Sequence, residues 1–538
     1  MDDGSGRAAQ IAWARRVSAA LGSVPRPRWL NRAVAIELAM VIVIAAFASA
    51  VRLLLLEPIE LGADAYQRWH FARQWFHDFD VTSVDWDHQK ARLGVIIPMV
   101  FAQALFGSAP VVYHFVAVGC AVATAIVTYA VGRAAHGRLV GVAAVALWIL
   151  SPDMVRAGSQ VTPEAFAAPY VGLSLLALYR AQRAGQHGRA RTAWVMVASA
   201  CLFGGYLAKE TVPIFVPGAL AAGWLLGLRL RHLAVFVAVQ LALFACESLF
   251  YASTSPYWSR IAVIRSALAE GEPMYVSSFA GFFQRYVVLP KSYQWLLGSA
   301  AAAALVLPFV TRNRRALAVI PLPVSFYAFS TFLIRGLDPL ELWVRFLPRY
   351  LDTGVALAAV VIALGVAHGA ERAARLASAL ARRTLPEPAA WVSSAGRGFA
   401  RARTYLAAAF PLWAAIVLGV LAGGVYREHP PGADHPLRTT PELHRVISDT
   451  WRRGLPLVST RKTRTKALGA AYCLYIDAEL LVEDGKLADF GTVFSTDRRR
   501  LVRDGKKRVP RGCELDIWVS RDRLRIEPGD VLPARCDR

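Results

Sequence analysis

The chain has 538 residues, 56% of them hydrophobic, and a mean hydropathy of +0.38. That balance excludes an ordinary soluble protein and fits a chain that crosses a membrane many times. The formal charge of +23 does not signal nucleic acid, because the basic residues fall in short clusters between apolar runs and form no single basic face.

Residues 1–32 are polar and Arg-rich, with no cleavable signal peptide evident. Arg15, Arg16, Arg26, Arg28 and Arg32 precede the first apolar run, AVAIELAMVIVIAAFASAVRLLLL at 33–56. That run is long enough to span, and the arginines before it place the N-terminus in the cytoplasm. The stretch 57–92 then lies outside. It is acidic, with Asp64, Asp78, Asp80, Asp85 and Asp87 set among Trp, Tyr and His. Ionisable groups gathered at a membrane face are costly to hold there without a purpose.

The next apolar run, 93–107, is short and contains Pro98, so its length alone does not decide whether it crosses. Later runs lie at about 111–132, 139–152, 164–182, 194–208, 211–228, 233–254, 291–311, 316–334, 348–368 and 405–426. Basic links alternate with non-basic ones between them. The basic links hold Arg133 and Arg138, Arg180 to Arg191, Arg229 and Arg231, Arg312 to Arg315, and Arg372 to Arg403. If 93–107 lies in the interface or re-enters, every one of these falls on the cytoplasmic side, which is the reading we adopt. The same choice gathers four other stretches, 151–164, 207–211, 255–290 and 335–350, on the outer side with 57–92.

The expected fold is a polytopic α-helical membrane protein with about eleven spanning helices, interfacial helices in the first outer loop, and a small C-terminal domain outside. Its parts are a cytoplasmic N-terminus (1–32), a membrane domain (33–426) whose outer loop is 57–107, and an extracytoplasmic segment (427–538). After the linker HPPGADHP, the sequence TPELHRVISDTWRR reads as a helix capped at or beside Thr440, with Glu442 in its first turn. The alternating segments AYCLYIDAELLV, FGTVFST and CELDIWVS read as strands, so this part is expected to be α/β or α+β. Cys120, Cys201 and Cys246 lie in apolar runs and read as packing residues; Cys473, Cys513 and Cys536 leave room for one disulfide and one free thiol.

Several polar residues stand out, each with an ordinary alternative. Asp64 opens a helical pattern with Tyr66 and Arg68 near it, and is either a base for an incoming hydroxyl or an N-cap. Lys90 could hold a phosphate or snorkel to headgroups. Asp153 and Glu164 sit at the outer ends of two spans, where Glu164 also suits the first turn of a Pro-started helix. Lys209 and Glu210 share a tight turn, as a site or as an ion pair. Arg345 and Arg349 suit bidentate phosphate contact or headgroup anchoring. His70, His77 and His88 match no compact ligand motif, so no metal site is assigned and a single divalent ion held by carboxylates and phosphate is the only metal reading retained.

An acid after the first span, a Lys-containing stretch, an acid after "SP", an "AK" turn and "PRYL" opening a late span occur in that order. Together, over roughly 33–368, they resemble the GT-C superfamily of membrane glycosyltransferases, and within it family 39, which includes protein O-mannosyltransferases and lipid A aminoarabinose transferases. The resemblance implies an inverting transfer of a hexose or pentose from a polyprenyl-phosphate donor, at the outer face of the cytoplasmic membrane, to a glycan, lipid or protein of the cell envelope. It implies Asp64 as general base, Lys90, Lys209 and Arg349 as donor-phosphate contacts, and Glu164 as the second acid; by position, Arg345 is a further phosphate candidate, and Asp153, His88, Tyr66 and Glu210 are candidates for acceptor or supporting roles. No cofactor is required, and no nucleic acid is a partner. The sequence departs from the family pattern in Asp64-Ala65, where an Asp-Glu pair is common, and in Gln89-Lys90-Ala91-Arg92, which replaces a Lys-Pro-Pro or His-Pro-Pro run. A flippase of lipid-linked glycans and a non-catalytic envelope assembly protein remain as alternative readings.

Overall fold

The computed structural model describes residues 28–56, positions 68, 69, 71, 72, 75, 86 and 89–92, most of 93–384, and five short strands between 457 and 519. Within 93–384 it leaves out 108–109, 159, 185–187, 269–273, 276–277, 333, 338–339 and 343–347. The chain divides into two units, Met1–Phe47 and Ala48–Arg538. In the first, the described residues belong to helix α1 (Arg28–Leu54), which continues into the second.

The second unit follows the apolar runs of the sequence: α2 (Leu93–Phe106), α3 (Pro110–Ala135), α4 (Arg138–Ile149), α5 (Pro152–Ala157), α6 (Pro163–Arg183), α7 (Gly188–Ala208), α8 (Phe215–Leu225), α9 (Leu230–Thr254), α10 (Arg260–Leu268), α11 (Ala280–Val287), α12 (Lys291–Val310), α13 (Arg314–Leu317), α14 (Pro321–Thr331) and α15 (Asp352–Thr384). Among the described residues, five helical segments are long and apolar enough to cross a membrane: Val34–Leu54, Val111–Ala135, Leu230–Thr254, Lys291–Val310 and Arg349–Leu376. The run expected at 405–426, the capped helix near Thr440 and Cys473, Cys513 and Cys536 lie outside the described residues.

The bundle is built around α15. Every residue from Leu351 to Leu364 is buried, because α12, α14, α4, α6 and α3 all pack against this helix. An all-round apolar helix of this kind belongs in the middle of a bundle. Small residues let its neighbours close up. A Cβ on Gly132 of α3 would come within 2.8 Å of Gly141 on α4, so the two backbones touch, as small-residue packing between membrane helices allows.

Helix direction sorts the polar groups to two ends. The start of α3 meets the start of α6, with Tyr113 Oη donating to Gln160 Oε1 at 3.1 Å and accepting from Val161 N at 3.2 Å. At the opposite end, Asn313 Nδ2 donates to Ala135 O at 3.3 Å and Tyr179 Oη to Arg315 O at 2.7 Å. The links around Arg133, Arg183 and Arg314 therefore share one end.

Helix α2 begins and ends at the other. Its Gly94 lies against the last residue of α7, where a Cβ would fall 2.4 Å from Ala208 N. Farther along, Gln103 Nε2 donates to Trp69 O at 2.9 Å, and the Trp69 ring meets Tyr113 edge-on at 5.5 Å. The helix thus lies along one end of the bundle without traversing it.

Two loops that the sequence places together are joined by backbone pairing. Strands β1 (Met274–Tyr275), β2 (Ile334–Leu337) and β3 (Leu340–Leu342) form an antiparallel sheet in the order β1-β3-β2, with Met274 opposite Leu342. In the C-terminal segment, β4 (Leu457–Ser459), β5 (Leu481–Val482), β6 (Thr492–Ser495), β7 (Lys507–Val509) and β8 (Asp516–Val519) pair in the order β5-β4-β6-β8-β7, parallel in the first two pairings and antiparallel in the others.

Candidate active site

The site is assembled where α6 begins and α7 ends. Thr162 caps α6, accepting from Ala165 N at 3.3 Å, and Pro163 supplies the first helical residue. This cap puts Glu164 in the first turn, near the positive end of the helix dipole. Helix α7 stops at Ala208, and a 3-10 turn over Val212–Ile214 follows, so Lys209 and Glu210 are held in a short rigid corner.

Lys209 Nζ lies 2.9 Å from Glu164 Oε1 and 3.2 Å from Glu210 Oε1. Lys209 and Glu164 are only 3% and 2% exposed, so this pair is held out of solvent. The ammonium also lies 4.4 Å from the centre of the Tyr350 ring, which Arg349 approaches at 5.8 Å. A cation over an aromatic face is favourable when desolvated.

Glu210 is the hub. Arg92 grips it with two nitrogens, Nη2 to Oε1 at 3.1 Å and Nε to Oε2 at 3.3 Å, and Arg260 Nη2 stands 3.7 Å from Oε2. Burial pushes this carboxyl pKa up, but Arg92, Lys209 and Arg260 outweigh burial and hold it well below the ordinary value. Gln89 Oε1 accepts from Arg92 Nη1 at 2.7 Å and from Arg68, whose Nη2 also donates to Val161 O at 3.3 Å. Arg260 is fully buried, lies 4.8 Å from the Tyr206 ring centre and donates to the Tyr206 carbonyl. Tyr206 Oη in turn donates to Glu247 at 2.8 Å, so this carboxylate belongs to the same network.

Two more carboxylates line this end. Asp153 accepts from the Ser292 hydroxyl, and Asp352, buried at the start of α15, accepts from Tyr293 Oη. The loop residue Trp86 is anchored by its indole N–H to Thr254 O at 3.1 Å, while Tyr251 Oη holds the Ala91 carbonyl at 2.9 Å. These bonds fasten the end of the first loop to α9.

The structure therefore brings Glu164, Lys209 and Glu210 into one ion-paired cluster, places Arg349 beside it through Tyr350, and puts Asp153 near the start of α12. Lys90 stands over the Phe71 ring at 5.8 Å. Asp64, Tyr66, His88 and Arg345 lie outside the described residues. Sequence reasoning missed Arg92, Arg260, Arg68 and Asp352. Arg92 sits two residues after Lys90 in the same run, and Asp352 follows "PRYL" directly, so an acid or cation next to a singled-out motif was the available signal. Arg260 gave none, because it opens a short helix inside a long polar loop. Chemically, an arrangement of fixed cations among carboxylates at the mouth of a helical bundle can neutralise a phosphate and position a hydroxyl.

Residues 98–258 match the family model described as dolichyl-phosphate-mannose-protein mannosyltransferase. No curated protein sequence matches the chain. Among solved structures, ArnT from Cupriavidus metallidurans in the apo state is similar with a TM-score of 0.56 at 14% identity, over 90% of this chain and 98% of that one. The same protein bound to undecaprenyl phosphate gives 0.55 at 13% identity, over 89% and 97%. The apo oligosaccharyltransferase of Archaeoglobus fulgidus gives 0.51 at 13% identity, over 81% of this chain and 64% of that one. With helices, cluster and matches taken together, the chain has the fold of the GT-C superfamily of integral membrane glycosyltransferases.

Proposed function

We propose that the protein is an inverting glycosyltransferase that moves a sugar from a polyprenyl-phosphate donor to a cell-envelope acceptor at the outer face of the cytoplasmic membrane. The observation that carries this reading is the cluster of Arg92, Lys209 and Arg260 around Glu210 and Glu164, at one end of a fold shared with a protein solved with undecaprenyl phosphate.

The chemistry follows from charge. As the acceptor oxygen attacks the anomeric carbon, the bond from that carbon to the phosphate oxygen breaks, and the phosphate leaves with the electron pair. Cations fixed beforehand stabilise that developing charge without reorganising. Lys90, Arg345 and Arg349 join Lys209 as donor-phosphate contacts in this reading, and the isoprenoid tail enters between helices from the bilayer. Asp64 takes the proton of the acceptor hydroxyl, with Tyr66, His88, Asp153 and Glu164 shaping the acceptor side. Phosphate departure needs charge stabilisation only, so no organic cofactor is called for; a divalent ion between phosphate and carboxylates would serve the same end.

The test is transfer by the purified full chain in proteoliposomes, with a panel of polyprenyl-phosphate hexoses and pentoses and mass spectrometry of the co-purified lipid. Wild-type protein is expected to retain a polyprenyl phosphate and to transfer sugar. Asp64→Ala is expected to keep the lipid and lose about 10²–10⁴-fold in rate, the usual contribution of a general base. Lipid translocation without any transfer would overturn the proposal in favour of a flippase.

A further inference from the structure

The end of the bundle opposite the candidate active site holds an open cavity of about 420 Å³, lined by Arg133, His136, Arg183, Asn313, Arg314 and Arg315 among others, and among the described residues no carboxylate lines it. Its volume falls in the ordinary range for small-ligand sites. Arg183 stands in the electrostatic reach of Arg315, Arg180 and Arg133, so an anion entering the cavity meets several cations at once.

An orientation signal would explain arginines near helix ends, but it needs neither a cavity nor a guanidinium held in place, as that of Arg315 is. Here the wall is built. Asn313 N donates to Thr311 Oγ1 at 3.0 Å, Arg315 N donates to Asn313 Oδ1 at 3.0 Å, and the Asn313 amide reaches Ala135 O on α3. Tyr179 Oη holds the Arg315 carbonyl from α6. The Arg315 Nε donates to Gln182 Oε1 at 2.9 Å, which orients the guanidinium and leaves its two Nη groups for another acceptor. The nearby carboxylate, Glu371, is already engaged by His136 Nε2 at 3.1 Å and His368 Nδ1 at 3.3 Å.

We propose that this cavity binds a phosphate-bearing anion, either the headgroup of an anionic lipid or free phosphate, with Arg183, Arg314 and Arg315 as the cations that hold it. Guanidinium groups suit phosphate oxygens through paired N–H donors, and basic pockets between helix ends at a membrane face are suited to anionic headgroups. The site is separate from the glycosyl-transfer reading and does not depend on it.

The experiment titrates the full-length purified protein with short-chain phosphatidylglycerol, short-chain phosphatidylcholine and inorganic phosphate, reading each isotherm directly. Phosphatidylglycerol is expected to bind at least tenfold more tightly than phosphatidylcholine, and the R183Q/R314Q variant to lose at least tenfold of that affinity, while the charge-preserving R183K/R314K variant loses less. Phosphatidylglycerol that inorganic phosphate does not displace identifies a lipid site; displacement by phosphate at the same positions identifies a free-phosphate site. Equal binding of both lipids with no response to phosphate, or wild-type affinity in R183Q/R314Q, would overturn the proposal. Arg314→Gln alone serves the same comparison if the double variant does not fold.

Discussion

The two ends of the bundle handle charge in opposite ways. At one, cations and carboxylates are interleaved, and the Lys209–Glu164 pair is sealed to within a few per cent exposure. At the other, Arg133, Arg183, Arg314 and Arg315 line a shared cavity whose walls, among the described residues, carry no carboxylate. The difference separates two reasons for a charge in a membrane protein. A basic cluster at a helix end is tolerated because water and headgroups solvate it, and it sets orientation. A buried pair has no such solvent, so each member is held in place by the other.

That contrast is open to direct attack by substitution. Lys209→Met leaves Glu164 buried without its cation and is expected to destabilise the protein by about 3–5 kcal/mol, the usual cost of breaking a buried pair. Glu164→Gln combined with Lys209→Met is expected to recover much of that loss, because no charge then remains uncompensated. Unfolding midpoints of these two variants and the wild type in detergent measure both effects. If Lys209→Met were no worse than an Arg183→Gln change at the opposite end, the distinction between the ends would fail.

Helix α2 offers a smaller effect, confined to the first end. A Cβ on Gly94 would meet the backbone at Ala208, which cannot give way as a side chain tip can. Gly94→Val is therefore expected to cost about 1–3 kcal/mol through overpacking. It should also reduce sugar transfer, since Ala208 adjoins Lys209. Parallel measurement of the unfolding midpoint and of transfer checks this. Gly132→Ala, at the contact of α3 with α4, provides a control for packing away from the site.

The smallest effect is a pH dependence. Glu210 has its carboxyl pKa depressed by Arg92, Lys209 and Arg260 against the opposing push of burial. A depressed carboxylate stabilises fully above its unfolded pKa, and that contribution disappears as pH falls through the folded value. The unfolding temperature of the wild type is thus expected to drop below about pH 4, the ordinary carboxylate range. Glu210→Gln should start lower at neutral pH, with the gap closing on acidification. A gap that stays constant to pH 3 would show that Glu210 does not act through its charge.

How much of this could be read from the chain differs by residue. Glu164, Lys209 and Glu210 were visible because charged groups in a tight corner between apolar runs are rare and need a reason. Their mutual partners were open, since the same corner suits an intramolecular pair or a ligand contact. The structure supplies the pairing. Arg260 was illegible because it enters the cluster from a residue far along the chain, inside a loop with many polar neighbours. Asp352 was hidden for another reason: a first-turn acid is ordinary at a helix start, and only the buried Tyr293 partner marks it as different.

What the sequence determined by itself is the membrane class, the apolar runs that become helices, and the ordered motifs that resemble GT-C enzymes. Those properties are local, set by hydropathy over a span length and by charge near span ends. Charge bias had already put 93–107 along one face, but tertiary structure alone decided that Met274–Tyr275 and Leu340–Leu342 join in one sheet, that α2 packs Gln103 against Trp69, and that Arg92 and Arg260 share one carboxylate. Each of these depends on which helix faces pack together, and side chains more than a hundred residues apart meet only after that packing is complete.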